Sequence, residues 1–542
     1  MGHEANIDPI QALDKQIEEG KGDLIKLKRA RNSLLNISTR VPPEILGEIF
    51  VWSVVRSAPC SLDPLEFDHL REGPYDFILV CHHWFEVACL IPELWSFWGN
   101  TLQDWKRRYR HSGATPIDLV LEKGECDPGP SFDGSLQEAV RTRVTQGTIR
   151  RVHLTSKYDH KDIISSLTPN GEGSQNEKVE STLWRNEEST SVDVSGFFAR
   201  SRLSKLRLLG LHGRFQNSSW DLLAPQTTLI TVLSLTVYEP SSTPTTPQLL
   251  SILASNPNLQ QLTLSHAAIP NDADGSTFQV SMRNLKVLTL AAEFRHFFGL
   301  LRRLILPEAL DEASLTGFKS TAYDVSQRLA PYMQNYFRRD ARFQDRLEVS
   351  PTLSHKTISV SVAAICTQTT PVRKPPQVTF TAGLEDFIPP DVLEQSLINF
   401  ITPLPREHVV AFKFEEKNEQ KLPKELFLMM PNIEMLHLSR VELSEWFLLP
   451  NLDGPNACVD LLPSLRSLVL DRVSLNDVNL DHLVRYLTYE TFGGQTISLK
   501  VKGYSQDPWM HQKVEGKIKN LVDKLTLEME PGRQEAWQPP PG

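Results

Sequence analysis

The chain has 542 residues and a mass of 61.4 kDa, with 40% hydrophobic and 23% charged residues, so it can bury a sizeable core and global disorder is excluded. Its formal net charge is −9 and its mean hydropathy is −0.27, which argues against a chain-wide nucleic-acid or anionic-membrane partner. No apolar run approaches the roughly 18–20 residues needed to cross a bilayer, and the start MGHEANIDPI does not read as a secretory signal. The six cysteines (Cys60, Cys81, Cys89, Cys126, Cys366 and Cys458) form no C-x-x-C pair, which is consistent with reduced thiols in an intracellular protein of cytoplasm or nucleus.

Ile10, Leu13, Ile17, Leu24, Leu27 and Leu34 lie on a heptad-like stripe if Gly20 and Arg31 fill the missing positions. Residues 1–36 are therefore read as a helix that either packs on the next domain or dimerises as a coiled coil. Asp8-Pro9 starts it, and Gly20 and Gly22 weaken it.

A second helix begins at Val41-Pro42-Pro43-Glu44. Pro43 suits a first turn, Glu44 favours the positive end of the helix dipole, and Ile45, Leu46, Ile49 and Phe50 follow as an apolar face. A turn-rich loop then leads to a third apolar helix containing Val80, Cys81 and Trp84, and to the segment Ile91-Pro92-Glu93-Leu94-Trp95-Ser96.

These residues resemble the F-box. In that family a Leu-Pro-x-Glu-Ile/Leu-Leu-x-x-Ile-Phe/Leu helix is followed by a Val-Cys-x-x-Trp helix and a Pro-x-Leu-Trp segment. The matches here are Pro42, Glu44, Ile45, Leu46, Ile49 and Phe50, then Val80, Cys81, Trp84, Pro92, Leu94 and Trp95. Val41 stands where Leu is usual, and the loop between the halves is longer. The layout is similar to that of F-box-like proteins of mushroom-forming fungi. The resemblance implies an F-box domain over 37–98 that binds a Skp1-type adaptor and, through it, a cullin. Adaptor contacts are expected at Pro42, Pro43, Ile45, Leu46, Ile49, Phe50, Val80 and Trp84. Each of these could instead hold the three helices together.

From about residue 112 to 530, paired aliphatic residues recur. They include Leu119/Leu121, Val152/Leu154, Leu209/Leu211, Leu233/Leu235, Leu262/Leu264, Leu288/Leu290, Leu436/Leu438, Leu468/Leu470 and Leu499/Val501. The segments beginning Asn256-Pro257-Asn258-Leu259, Met430-Pro431-Asn432-Ile433 and Leu462-Pro463-Ser464-Leu465 each run from a turn into Leu/Ile-x-x-Leu-x-Leu. They resemble leucine-rich repeats of the F-box-associated kind. The implied fold class is α/β: an N-terminal helical F-box followed by an irregular solenoid of strand/helix units. The aliphatic pairs point into the solenoid, and Gly210, Ser234, Thr263, Thr289, His437 and Val469 lie on its concave surface, a chemically mixed set that names no ligand class.

Between about 295 and 410 the period is poor. Ala313/Leu315, Leu347/Val349, Val360/Val362, Val378/Phe380 and Phe412/Phe414 are candidate strands and 324–343 a candidate helix, belonging either to the array or to an inserted domain. Residues 167–190 and the tail 531–542 read as disordered, and 239–247 and 367–377 as loops.

No phosphate-binding, dinucleotide, zinc-protease or hydrolase motif is present, and no cofactor or metal ligand set is expected. Two basic runs, Lys106–His111 and Arg338–Arg342, are either solvated helix faces or anion-binding clusters. The expectation is a non-catalytic substrate-recognition subunit of an SCF-type ubiquitin ligase, holding an unknown target protein on its repeats. The competing readings are a repeat scaffold with no ubiquitin role and an enzyme whose site carries none of these motifs.

Overall fold

The computed structural model describes residues 20–27 (except 22), 41–54, 80–98 (except 81), 102–122, 134–156, 179–186, 194–198 (except 195 and 196) and 205–266 (except 217, 227 and 228). It also describes 269, 278–320, 328–365 (except 355 and 356), 375–384, 390–416, 424–441, 462–492 (except 474 and 476), 497–504 and 508–529. The fold is mixed α/β, built on mostly parallel strands. Two compact units divide the chain, Met1–Ser242 and Thr243–Gly542, so the boundary falls inside the stretch read as one array. Of the N-terminal heptad helix, residues 20, 21 and 23–27 are helical, and the rest of 1–36 lies outside the described residues, as does the tail 531–542.

The first unit opens with helices α1 (Pro43–Val54) and α2 (His82–Cys89), a 3-10 turn at Pro92–Trp95, the short strand β1 (Phe97–Trp98) and α3 (Leu102–Ser112). There follow β2 (Ile117–Glu122), α4 (Gly134–Thr145), β3 (Ile149–Ser156), β4 (Ser181–Asn186), β5 (Leu208–Gly213), α5 (Ser218–Gln226) and β6 (Val232–Val237). Strands β1 to β6 pair in chain order, all parallel. Leu119, Val152, Thr182, Leu209 and Leu233 share one cross-strand row, and Leu121, Leu154, Trp184, Leu211 and Leu235 the next.

Two expectations are corrected here. Residues 181–186, inside the stretch read as disordered, form β4. Its polar ends conceal the Leu183-Trp184 centre, which is buried once β3 and β5 supply ladder partners. Gly210 and Ser234 are not accessible: both are buried, Ser234 beside the buried Thr236 on β6 and Gly210 between the half-buried Leu208 and His212 on β5. Other polar side chains of this unit's strands, Asp118 on β2, His153 on β3, Thr182 on β4 and Thr236 on β6, are buried as well. Asp118 is compensated by Arg150 on β3, which donates from Nε at 2.9 Å and from Nη2 at 2.6 Å. That pairing raises the guanidinium pKa.

The second unit starts with α6 (Thr246–Ser255). Thr245 accepts from the Gln248 N–H, the Gln248 side chain accepts from the Thr245 N–H, and a proline lies in the first turn. The fully buried Asn256 ends the helix, its amide donating to the Ile252 carbonyl at 2.8 Å. The chain then enters β7 (Gln261–His266). Next come β8 (Val280–Ser281), β9 (Val287–Glu293), α7 (Phe294–Leu301), β10 (Leu304–Ile305), β11 (Glu312–Ser320) and α8 (Ala330–Arg339). These are followed by β12 (Leu347–Ser354), β13 (Thr357–Ala364), β14 (Gln377–Leu384), α9 (Pro390–Ile401), β15 (Val409–Glu416), α10 (Lys424–Met429) and β16 (Met435–Ser439). The last elements are β17 (Ser467–Asp471), α11 (Asp477–Phe492), β18 (Ser498–Tyr504), α12 (Pro508–Ile518) and β19 (Lys524–Met529).

Strands β7, β9, β11 and β14 pair parallel, as do β12, β15, β16, β17, β18 and β19. Between the two runs, β13 is antiparallel to both β12 and β14. All five candidate strands of 295–410 are strands, but three of them form this antiparallel insertion. Only residues 355 and 356 separate β12 from β13, far fewer than the dozen or so a parallel crossover requires. Along β9, β16 and β17, and along β7 up to Ser265, burial alternates, and Phe412, Leu436, Leu468 and Leu499 stack as one inward row. Thr263, Thr289, His437 and Val469 lie on the partly accessible face, as expected.

Candidate protein-docking surface

The N-terminal helices of the first unit enclose a small core of Leu46, Phe50, Val87, Ala88, Leu94 and Trp95, with Val41, Val51, Trp84, Cys89 and Ile91 packed around it. The Phe50 and Trp84 rings meet at 5.1 Å between centroids, and the Trp95 indole donates to the Ala88 carbonyl at 2.7 Å. Gly47 lets α1 approach the turn before Pro92, because a Cβ there would come within 2.9 Å of Ile91 Cδ1. The Leu46 N–H donates to the Pro42 carbonyl at 3.0 Å, closing the first helical turn at the residues that resemble the family motif.

The eight expected contact residues fall into two sets. Leu46 and Phe50, 2% and 0% exposed, are interior, and Trp84 is half-buried against them. These three hold α1 to α2. Pro42, Pro43, Ile45, Ile49 and Val80 face solvent. The apolar face expected from Ile45, Leu46, Ile49 and Phe50 is thus divided, with the Leu46/Phe50 stripe turned inward and the Ile45/Ile49 stripe outward. Trp52, absent from the expected set, extends the outward stripe. Its signal is positional, since 45, 49 and 52 follow the i, i+4, i+7 spacing of a single helix face. Ile45, Ile49 and Trp52 are 53%, 47% and 55% exposed, and Val80 and Leu90 are exposed as well. Cys81 lies outside the described residues.

In the basic run of α3, Lys106, Arg107 and Arg110 are exposed, while Arg108 and His111 pack inward. The Arg107 guanidinium lies 5.4 Å from the Phe85 ring centroid, and the buried Arg108 donates to the Phe97 carbonyl. The His111 ring packs tilted against Trp95 at 4.8 Å between centroids and places Nε2 3.9 Å from Cys89 Sγ. Burial pushes the Cys89 thiol pKa up, against the opposing effect of Arg107. Arg143 of α4 sits 5.3 Å from the ring centroids of both Trp98 and Tyr109 and donates to Ser112 Oγ at 2.7 Å. In the second basic run, Asp340 and Asp311 hold Arg342, while Arg338 and Arg339 are exposed.

His82 reaches Glu86 at 3.3 Å along α2. Among the described residues, no group of three or more His, Cys, Asp or Glu is placed to hold a metal ion, and no helix is long and apolar enough to cross a membrane. On α1 the outward face carries Ile45, Ile49 and Trp52 together with the exposed Glu44 and Glu48. Neither protein-family models nor curated proteins give a match to the chain.

Proposed function

We propose that the N-terminal helices are an F-box that docks a Skp1-type adaptor, and that the parallel strands form a leucine-rich-repeat array presenting a target protein to a cullin-based ubiquitin ligase. The protein is then a substrate-recognition subunit without catalytic residues of its own, acting by holding a target lysine near a ubiquitin-charged enzyme. The observation that carries this reading is the outward stripe of Ile45, Ile49 and Trp52 on a helix whose opposite stripe, Leu46 and Phe50, is already used. Three large apolar side chains at helical spacing suit burial in a partner's groove, with Trp52 as the anchor. The array is supported by turn–Leu-x-x-Leu-x-Leu segments that each enter a parallel strand in the same register.

Co-purification with a Skp1-type adaptor tests the proposal. The wild-type chain is expected to retain the adaptor, and Ile45→Asp with Ile49→Asp to lose it while the unfolding free energy from urea titration changes by no more than about 0.5 kcal/mol, as for exposed sites. A folded wild-type chain that captures no adaptor defeats the reading.

A further inference from the structure

The accessible face of the second unit's sheet contains a cleft of about 360 Å³ over the carboxyl ends of β12, β15, β16 and β17. Its charged groups lie in bands fixed by strand register. Lys413 on β15 stands opposite His437 on β16, and two residues further on Glu415, Ser439 and Asp471 share the next row. Beyond that row come Arg440 and Arg472. Along β15 to β17 the order is therefore cationic, anionic, cationic, with Lys413 also paired to Glu348 and Lys502 of β18 closing the anionic row beyond Asp471; the first two bands lie about 6.6 Å apart, the i to i+2 spacing of a strand.

The backbone fixes the far cationic band at the strand ends, in a left-handed conformation that His266 and Lys319 also adopt near the ends of β7 and β11. Arg440 and Arg472 both adopt left-handed backbone conformations, with φ of 58° and 54°, an uncommon state for residues other than glycine. Their N–H groups continue the ladder past the strand ends, donating to Asp471 and Lys502 carbonyls at 2.8 Å each. Gly503 occupies the matching place on β18, where a Cβ would lie 2.8 Å from Arg472 Cγ. Pro351 on β12 brings no N–H to either neighbouring ladder.

The polar groups retain binding capacity. The His437 Nε2 is buried with no hydrogen-bond partner among the described residues. Burial holds the His437 pKa below its ordinary value, keeping the ring neutral near pH 7. Lys413 donates to Glu348 at 2.8 Å and has two further N–H groups. The closest Arg440–Glu415 approach is 3.8 Å, an ion pair too long for a hydrogen bond. A simple anion on Lys413 would meet Glu415 and Asp471, and a simple cation would meet Lys413, Arg440 and Arg472. A dipolar ligand satisfies both bands, and the cationic groups on either side of Glu415 and Asp471 fix where its positive end can lie.

We propose that this cleft binds an extended peptide segment with an acidic and a basic side chain two residues apart, the acid against Lys413 and His437 and the base against Glu415 and Asp471. This deepens the proposed target recognition by assigning its peptide chemistry, and its test requires no adaptor, so the two proposals fail separately.

The test measures fluorescence anisotropy of the full chain with fluorescein-labelled Gly/Ser nonapeptides centred on Glu-Ala-Lys, Glu-Ala-Glu or Lys-Ala-Lys. Glu-Ala-Lys is expected to bind about tenfold more tightly than either like-charged peptide, a difference of about 1.4 kcal/mol. Lys413→Gln with Glu415→Gln, both at partly exposed positions, is expected to remove that preference while the urea midpoint is retained. His437→Gln is expected to weaken Glu-Ala-Lys binding without reversing the order. Equal binding of the three peptides, preference for a like-charged one, no binding up to millimolar protein, or an unchanged preference in the double variant overturns the proposal.

Discussion

The two units use parallel strands in opposite ways. In β6 both faces are largely buried, so Ser234 and Thr236 lie in the interior, and on neighbouring β5 Gly210 is buried between the half-buried Leu208 and His212. In β7, β9, β16 and β17 every second residue remains partly accessible, and those positions carry hydroxyls, an imidazole and charges. Aliphatic pairs of nearly the same kind drive both, Leu233/Leu235 in one and Leu288/Leu290 in the other. The difference rests on the intervening residues, which are free to recognise a partner only where the second face is open.

The strongest way to break this comparison is a lysine at equivalent intervening positions. Ser234→Lys places an ammonium where the native side chain is 3% exposed, and it is expected to cost several kcal/mol or prevent folding. Thr289→Lys, on the accessible face of β9, is expected to change stability by about 0.5 kcal/mol or less. Urea unfolding of both variants decides the point, and equal costs would remove the distinction between the units.

A smaller contrast separates the ion pairs. Asp118→Ala strands Arg150 beside a mostly buried position and is expected to cost about 3 kcal/mol. Glu348→Gln loosens the more exposed pair with Lys413 and is expected to cost at most about 1 kcal/mol. Denaturant midpoints at low and high salt sharpen this, since only the second cost should fall on screening.

The smallest effect is a pH dependence confined to the second unit. Burial lowers the folded pKa of His437, and also that of His296, so the unfolded chain binds protons more readily than the native one. The stability gained from a neutral ring is fully present above the ordinary histidine pKa of about 6.5 and declines as pH falls below it. His437→Gln is expected to flatten the loss of stability between pH 7.5 and 5.5, read as the difference in urea midpoints. An unchanged slope would exclude His437 as a contributor.

Much of the secondary structure was legible because period-2 aliphatic pairs identify strands without reference to a partner. Even the irregular middle yielded its strands at Leu347/Val349, Val360/Val362 and Val378/Phe380. Strand direction was not legible there, since it depends on connection geometry rather than on the residues within a strand. β4 was obscured because its six residues lie in a polar stretch whose average composition hides one Leu-Trp pair. On α1 the sequence marks Ile45, Leu46, Ile49 and Phe50 as apolar, but the core of α2 and the Pro92–Trp95 turn selects which two go inside. Arg440 and Arg472 carry no sequence signal for a left-handed backbone, because that conformation is imposed by the ladder beyond the strand ends.

By itself, then, the sequence determined where apolar side chains recur: a helical segment with more apolar surface than one stripe can bury, followed by strands marked by alternating Leu, Val and Phe. The tertiary structure decided which faces stay accessible. Burial belongs to a pair of packed surfaces, so a residue's own chemistry cannot specify whether a neighbour covers it. That is why Ser234 is interior and Thr289 is not, and why Ile45 and Ile49 face outward while Leu46 and Phe50 close the core.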